Sequence, residues 1–267
     1  IAVWGQDTQK SQPVFKENSP PAIDELMGVE ERFKYKIKYG FFTVGWVDVS
    51  IAKDSLINGK RAWHLQSKVT TNSQIPFVDK EISLFNSWMV EADSIFYSHR
   101  FWFDNLVTEE MKVDMYIFDR TEGKVYMKHK DDPADTLDLR DPASSGHIIF
   151  YLSRLYAGEN RYFEIPVYMF EEGLGKIFMD FTSSGEERSY DPFDTDITTY
   201  YAEGTSTIKG PFGMNGAFEA WYANDDLRIP LEAHVNVFIG NVKIKLIEYS
   251  RSERKKQQQY GEQDTSN

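Results

Sequence analysis

Cysteine is absent from this 267-residue sequence. Its absence excludes disulfide bonds, thiol catalysis and thiolate metal sites in the chain as given. A lipoprotein anchor on an N-terminal cysteine has no attachment point for the same reason. Cytosolic and periplasmic proteins can both lack cysteine, so its absence does not assign a compartment.

Basic residues are in the minority, with 30 Lys and Arg against 42 Asp and Glu and a formal net charge of −12. Such a surface repels phosphate backbones, so we expect no nucleic-acid partner.

Long apolar runs are also lacking. No segment approaches the roughly 18 consecutive apolar residues of a membrane-spanning helix, so we expect no transmembrane segment.

Recognisable catalytic and metal-binding motifs are missing as well. The five histidines are widely spaced and form no zinc-binding pattern. The stretch Gly204–Thr207 lacks the second glycine of a nucleophile elbow, and Gly173–Gly175 lacks the third glycine of a dinucleotide fingerprint. The acidic run Asp191–Asp196 departs from a calcium-binding loop and is typical of a solvated turn. We therefore predict no catalytic residues, no metal site and no cofactor, and we expect a protein that is not an enzyme.

Alternation of apolar and polar residues dominates what is present. In Glu31–Tyr39, aromatic and aliphatic residues alternate with three lysines, the period-two pattern of a strand with one face in water. The pair Asn58-Gly59 predicts a type I′ hairpin between two such segments. Further strands are predicted at residues 81–91, 94–103, 111–119, 124–130, 161–170, 176–182, 195–207, 215–223, 227–239 and 242–250, with a loop at 131–141.

One helix is predicted over Ala143–Tyr156. Asp141-Pro142 forms a good N-cap and first-turn pair, apolar residues then recur at helical spacing, and Gly158 provides a stop. About a dozen strands and one helix predict a mainly β fold. We expect a large curled antiparallel sheet, a half-barrel or open barrel, around one central helix.

The composition divides the chain into three parts. Residues 25–250 show no repeat and no change in composition and are interpreted as a single β-rich domain. Residues 1–24 are interpreted as a signal-peptide remnant and linker, because Ile1–Gly5 is apolar and the following segment is polar and proline-containing. An arbitrary boundary is the alternative. Residues 251–267 are predicted to be a polar flexible tail.

The segment Ile95–Phe103 carries aromatic residues at both alternating positions. Strict alternation would place Tyr97, Phe101 and Phe103 on one face, and Phe96 and Trp102 on the other. A strand at a solvated surface would not carry aromatics on both faces. Either the strand is buried between sheet and helix, which is the more ordinary interpretation, or one face lines a ligand cavity. As speculative ligand-binding residues we nominate Phe101, Trp102 and Phe103.

The C-terminal part resembles a bacterial family, domain of unknown function 3108. The resemblance rests on Trp221–Leu231 (WYANDDLRIPL) and Phe238–Val242 (FIGNV), and more weakly on Phe33–Ile51 and Leu152-Ser153-Arg154. It covers roughly residues 29–250. The resemblance implies export to the bacterial envelope and a sheet curled around a helix, similar to the half-barrel of periplasmic lipoprotein carriers. It implies no enzyme activity and no catalytic residues.

The D-D-x-R-x-P residues of this motif also have a plain structural interpretation. Asp225 and Asp226 suit a tight turn, and Arg228 is expected to pair with them. Pro230, which lacks an N–H, suits a sheet edge or the start of a strand.

Three functions follow as hypotheses. The first is a non-enzymatic exported protein of the periplasm or cell envelope that binds a lipid or another apolar ligand in a half-barrel cavity. The second is an envelope protein that docks a protein partner through an exposed sheet edge. The third is a glycan hydrolase whose carboxylates are not recognisable.

Overall fold

A computed structural model describes residues 19–76, 78–107, 114–129, 134–169, 173–183, 185–208, 216–237 and 240–254. The fold is mainly β, as predicted, and consists of one large antiparallel sheet that is not closed. Its strands are β1 (Val29–Tyr39), β2 (Phe42–Ile57), β3 (Lys60–Thr71), β4 (Ile82–Ala92), β5 (Ile95–Asn105), β6 (Asp114–Asp119), β7 (Lys124–His129), β8 (Asp135–Asp138), β9 (Arg161–Met169), β10 (Gly173–Phe181), β11 (Glu187–Arg188), β12 (Ile197–Ser206), β13 (Gly216–Ala223), β14 (Pro230–Val237) and β15 (Gly240–Glu253).

Most strands pair with their neighbours in the chain. The order across the sheet is β8-β7-β6-β5-β4-β3-β2-β1-β15-β14-β13-β12-β10-β9, and the short β11 pairs with β12. The first and last strands therefore lie side by side in the middle of the sheet, with Phe33 opposite Tyr249. The two ends of the sheet, β8 and β9, are consecutive in the sequence and are joined by the helical segment.

The helical segment differs from the predicted 143–156 helix. It begins at Gly146 with a 3-10 turn, continues as the short α-helix Ile149–Leu152 and ends in a second 3-10 turn, Ser153–Leu155. Pro142 follows a cis peptide bond and is not the first helical residue. Ser144 pairs instead with β9, because its N–H donates to the Pro166 carbonyl and its own carbonyl accepts from the N–H of Tyr168.

The sheet wraps around this segment. Rings in the segment and directly after it reach strands on both sides: the Phe150 ring lies 5.1 Å from that of Phe33 in β1, and the Tyr156 ring lies 5.1 Å from that of Phe163 in β9. The largest cluster of buried apolar residues lies between the sheet and the segment, and Tyr151 and Leu152 belong to it.

Several predicted boundaries were wrong. A first helix, α1 (Ile23–Met27), includes the last two residues of the expected linker, and β8 lies in the expected loop 131–141. Strand β15 continues to Glu253, into the expected tail. The turn expected at Gly240-Asn241 is displaced, because Gly240 already pairs with Val237. The predictions for residues 1–18, 111–113, 130–133, 170, 215, 238–239 and 255–267 lie outside the described residues.

Candidate functional site

A cavity of about 820 Å³ lies between the concave face of the sheet and the helical segment. Its walls are mainly apolar. Ile37, Val47 and Ile244 line it from the central strands, and Ile149 and Phe150 line it from the helical segment. The volume falls in the range of about 300–1,000 Å³ that is usual for small-molecule sites.

The cavity begins where the packed core ends. Along the inward face of β1, Phe33 and Tyr35 are buried, whereas Ile37 is only half-buried. The same change occurs in β2, where Val49 is buried and Val47 is half-buried. These apolar side chains face a space that the protein's own side chains do not fill.

The two ends of the curled sheet differ. At one end, α1 closes the interior with Ile23, Leu26 and Met27, all buried in the core. The cavity lies toward the opposite end, where Thr71 at the end of β3 and Glu81 before β4 contribute to its wall. The exposed rings and aliphatic chains of Phe41, Leu106 and Val107 lie at this second end. The packed core therefore closes the cavity at the end of the strands where α1 lies, which is the closed end of the sheet.

A serine–histidine cluster, in which the serines are buried and His147 is half-buried, interrupts the apolar wall. His147 makes contacts of 2.8 Å from Nδ1 to the Ser87 Oγ and from Nε2 to the Ser67 Oγ. The Ser145 Oγ lies 2.8 Å from the Ser98 Oγ and 3.3 Å from the Ser87 Oγ. Of these five residues, Ser67, Ser145 and His147 line the cavity.

The cluster carries no charge near neutral pH. Burial lowers the pKa of His147 to about 3, with a smaller contribution from the nearby His64. The imidazole is therefore neutral, with one ring nitrogen donating and the other accepting a hydrogen bond. The cluster is a hydrogen-bonding patch within an apolar wall.

The three nominated residues lie on two different faces. Phe101 lines the cavity, and its ring is 6.0 Å from His147. Phe103 packs at 4.9 Å against Phe85, which also lines the cavity. The Trp102 ring stacks on the outer face at 5.1 Å from the ring of His64. The structure thus brings Phe101 and Phe103 together and places Trp102 elsewhere.

The alternation predicted for this strand was wrong for Phe96 and Tyr97, each of which lies on the face opposite to the one expected relative to Phe101. Met89 pairs with Ser98, and Trp88 pairs with Arg100, so His99 is an extra residue in β5. Such a bulge reverses the faces on either side of it. Phe96 consequently lies on the same inward face as Phe101, fully buried against Trp63.

Sequence reasoning missed His147 and its serine partners. The five histidines form no zinc-binding pattern, and nothing in their spacing distinguishes one of them. A weaker signal was present, because Ser67 and Ser87 lie at inward positions of their strands, next in alternation to the apolar Leu65 and Phe85. A polar residue at an inward position of a strand is the sequence signal that could have indicated such a cluster.

A buried ion pair fixes the helical segment above the closed end. Arg154 donates two hydrogen bonds to the Glu31 carboxylate, at 2.8 and 2.9 Å, and a third from Nε to the Leu227 carbonyl. The Tyr249 hydroxyl donates to the same carboxylate at 2.8 Å. These contacts join the helical segment to β1, β15 and the loop before β14.

The D-D-x-R-x-P residues form the adjacent loop, and one expected contact was wrong. The guanidinium of Arg228 donates to the backbone carbonyls of Asp225 and Ala157, not to a carboxylate. Asp226 pairs instead with Arg251, at 2.8 Å. Pro230 begins β14, as predicted. The motif residues hold this loop against the closed end.

Two polar features outside the cavity, His234 and the acidic run 191–196, are explained by structural contacts. A groove of about 530 Å³ on the outer face contains His234, which lies between the carboxylates of Glu219 and Glu232, at 3.1 and 2.7 Å. In the run 191–196, Phe193 is buried and anchors a turn whose Asp residues are exposed. Within the described ranges, no three His, Asp or Glu residues are placed to hold a metal ion.

No helix in the described part of the chain is both long and apolar enough to cross a membrane.

The fold is that of a β-barrel-like protein. A solved structure with this architecture, a β-barrel-like protein of the domain of unknown function DUF1849 from Brucella abortus, superposes with a TM-score of 0.54 at 12% sequence identity. The match covers 84% of this chain and 98% of the other. The family model of DUF3108, described as a protein of unknown function, matches residues 34–247, so the chain belongs to that family. No curated protein matches the sequence.

Proposed function

We propose that this protein is a non-enzymatic binding protein that holds a lipid or another apolar ligand in the cavity. The observation that carries the proposal is the half-buried apolar lining, represented by Ile37, Val47 and Phe150. Apolar side chains at inward positions normally pack against other side chains. A chain-like apolar ligand would complete that packing.

The expected affinity follows from the area that the ligand buries. Each methylene transferred from water contributes about 0.8 kcal/mol, so about eight methylenes give a gross gain near 6 kcal/mol. Ordering the ligand and its loss of free motion offset part of this gain. We expect dissociation constants in the micromolar range or weaker that decrease with chain length.

Titration of fatty acids and lysophospholipids of increasing chain length, followed by intrinsic tryptophan fluorescence and calorimetry, tests the proposal. Native mass spectrometry of protein purified from its source would show a co-purifying lipid. Absence of binding at every chain length by both titration methods would refute the proposal.

A matched pair of variants identifies the cavity as the site. Phe101→Ala removes a ring that lines the cavity, and we expect it to weaken binding by about tenfold. Trp102→Ala removes a neighbouring ring on the outer face and should leave the affinity unchanged. Equal losses in the two variants would place the ligand elsewhere. Calorimetry is the appropriate readout, because Trp102→Ala alters the fluorescence itself.

We propose that binding takes place in the periplasm or cell envelope. The support is the envelope export that the resemblance to domain of unknown function 3108 implies. Fractionation of cells that express the full-length gene tests this, and recovery of the protein only with cytosolic markers would contradict it.

The sheet edges weaken the alternative of docking a partner strand. Strand β8 has only four residues and begins and ends with an aspartate, and Ser144 pairs with part of the β9 edge. Short, charged and covered edges are the features by which proteins prevent strand addition. Among the described residues, the edges thus offer only short runs of unpaired backbone.

A further inference from the structure

The serine–histidine cluster is a polar patch in a mainly apolar cavity wall. Burying hydroxyl and imidazole groups costs free energy unless they form hydrogen bonds. In this cluster the groups bond to one another, with contacts of 2.8 Å from the His147 ring to Ser67 and to Ser87. The polar groups of the cluster are therefore satisfied without a ligand. What a ligand can use is the remaining hydrogen-bonding capacity of the members that face the cavity.

Ser67 has hydrogen-bonding capacity left over. A serine hydroxyl can donate one hydrogen bond and accept two. The Ser67 Oγ uses one of these on the Nε2 of His147, whose other nitrogen is occupied by Ser87. Ser67 also lines the cavity, so its remaining capacity is available to a molecule in the cavity.

The charge around the cluster limits what that molecule can carry. Its members are four hydroxyls and a neutral imidazole, and the ionisable side chains elsewhere on the cavity wall include the acidic Asp79 and Glu81. An anionic head group would find no cation within the cluster and would lose its hydration. A cationic head would also be desolvated there without a counter-charge.

We infer that the cluster binds the uncharged polar group of an amphipathic ligand, an alcohol, ester or amide, whose chain lies along the apolar wall. This inference rests on the proposed function and specifies the ligand class for the same cavity. Ser67 would form a hydrogen bond with the oxygen or amide group of the ligand.

The test compares head groups at constant chain length. Decanol, methyl decanoate, decanoate and decylammonium are titrated into the wild-type protein by calorimetry at pH 7.5. We expect the two uncharged ligands to bind at least about tenfold more tightly than the two ions, because the desolvated charges are unpaired. Equal or tighter binding of either ion would overturn the inference.

A serine variant connects the preference to the cluster. Ser67→Ala should weaken decanol binding by about three- to tenfold, the usual net effect of one hydrogen bond. Ser50→Ala makes the same change in the adjacent strand β2, next to the inward-facing Val49 and therefore on the outer face, and should have no effect. Unchanged binding in a folded Ser67→Ala variant would overturn the role of Ser67. The head-group comparison on the wild type decides the inference should that variant not fold.

The outcomes separate the two proposals. Binding of all four ligands with similar affinity would leave the apolar cavity function in place and remove the uncharged-head inference. Absence of binding by all four, and by longer chains, would remove both.

Discussion

Arg154 and Glu31 form a bidentate ion pair in the protein interior, with both side chains almost completely inaccessible to water. Burial opposes the charge on Arg154, but the attraction and hydrogen bonds of Glu31 outweigh it, so the pKa of Arg154 is raised. The two residues are 123 positions apart in the sequence. Their contact joins the helical segment to the first strand of the sheet.

Removing one member of this pair should destabilise the protein strongly. Arg154→Met leaves the Glu31 carboxylate buried without its cation, and we expect the free energy of unfolding to fall by about 3–5 kcal/mol. Urea denaturation measures the change. The exposed pair Lys34–Glu248 is the control, since Lys34→Ala should cost less than about 1 kcal/mol. A double variant, Glu31→Leu with Arg154→Met, should recover part of the loss, and losses that simply add would contradict the coupling.

Asp225 should make the protein less stable as the pH rises. Burial raises its pKa to about 7, although the N–H of Ile229 donates to one carboxylate oxygen. The folded state therefore holds a proton that the unfolded state releases near pH 4. The stability from this group is present below about pH 4 and is lost progressively up to about pH 7.

Comparison with Asp225→Asn isolates this effect. The amide keeps an acceptor oxygen for Ile229 and does not titrate. We compare the free energy of unfolding of the variant minus that of the wild type. This difference should increase by up to about 4 kcal/mol between pH 4 and pH 8, at about 1.36 kcal/mol per pKa unit. Urea denaturation at several pH values measures it, and parallel curves for the two proteins would show that Asp225 does not titrate in this range.

His147 should not titrate at physiological pH. With a pKa lowered to about 3 by burial, its imidazole stays neutral between pH 5 and pH 8. In this range its NMR ring-proton shifts should be constant in the folded protein. Midpoints near 6.5 for every histidine would mean that the ring is solvated and that the cluster does not exist as described.

Gly204 should be intolerant of a side chain. A Cβ at this position would lie 2.3 Å from the Phe218 ring and 2.6 Å from the Phe178 carbonyl oxygen. We expect Gly204→Ala to lower the free energy of unfolding by about 1–3 kcal/mol through overpacking. In Gly146→Ala the added carbon meets Ile177 at 3.8 Å, an ordinary contact, so this control should be nearly neutral. Thermal unfolding of the two variants checks the difference.

The end of the domain should lie after Arg254. Arg254 donates from its backbone N–H to the Gly28 carbonyl and from its side chain to the carbonyls of Met27 and Val29. Truncation after Ser250 removes these bonds and the Arg251–Asp226 pair, so the melting temperature should fall. Truncation after Arg254 should leave it nearly unchanged. Equal melting temperatures for the two truncated proteins would restore the boundary predicted from composition.

Local signals predicted most of the sheet. Asn58 and Gly59 both have positive φ, 51° and 75°, as the predicted type I′ turn requires, and the turn joins β2 to β3. Alternation along β1 gave the right buried residues, including Phe33. These features depend on neighbours in the chain and are therefore visible in the sequence.

Features that depend on distant contacts were not predictable in this way. The helix was expected to begin at Ala143, but the backbone groups of Ser144 are used by β9. The extra residue His99 reverses the faces of β5 because of its pairing with β4. The serine–histidine cluster brings Ser67 into contact with His147, 80 residues away in the sequence, and no spacing rule connects the two residues.

The central position of β1 has a consequence for biosynthesis. One side of β1 pairs with β2, which follows it directly, but the other side pairs with β15, so that Val29 lies opposite Glu253. During translation the first fourteen strands emerge with that side of β1 unpaired. The open edge persists until nearly the whole domain has left the ribosome. Such pairing between distant segments slows folding and exposes the nascent chain to aggregation.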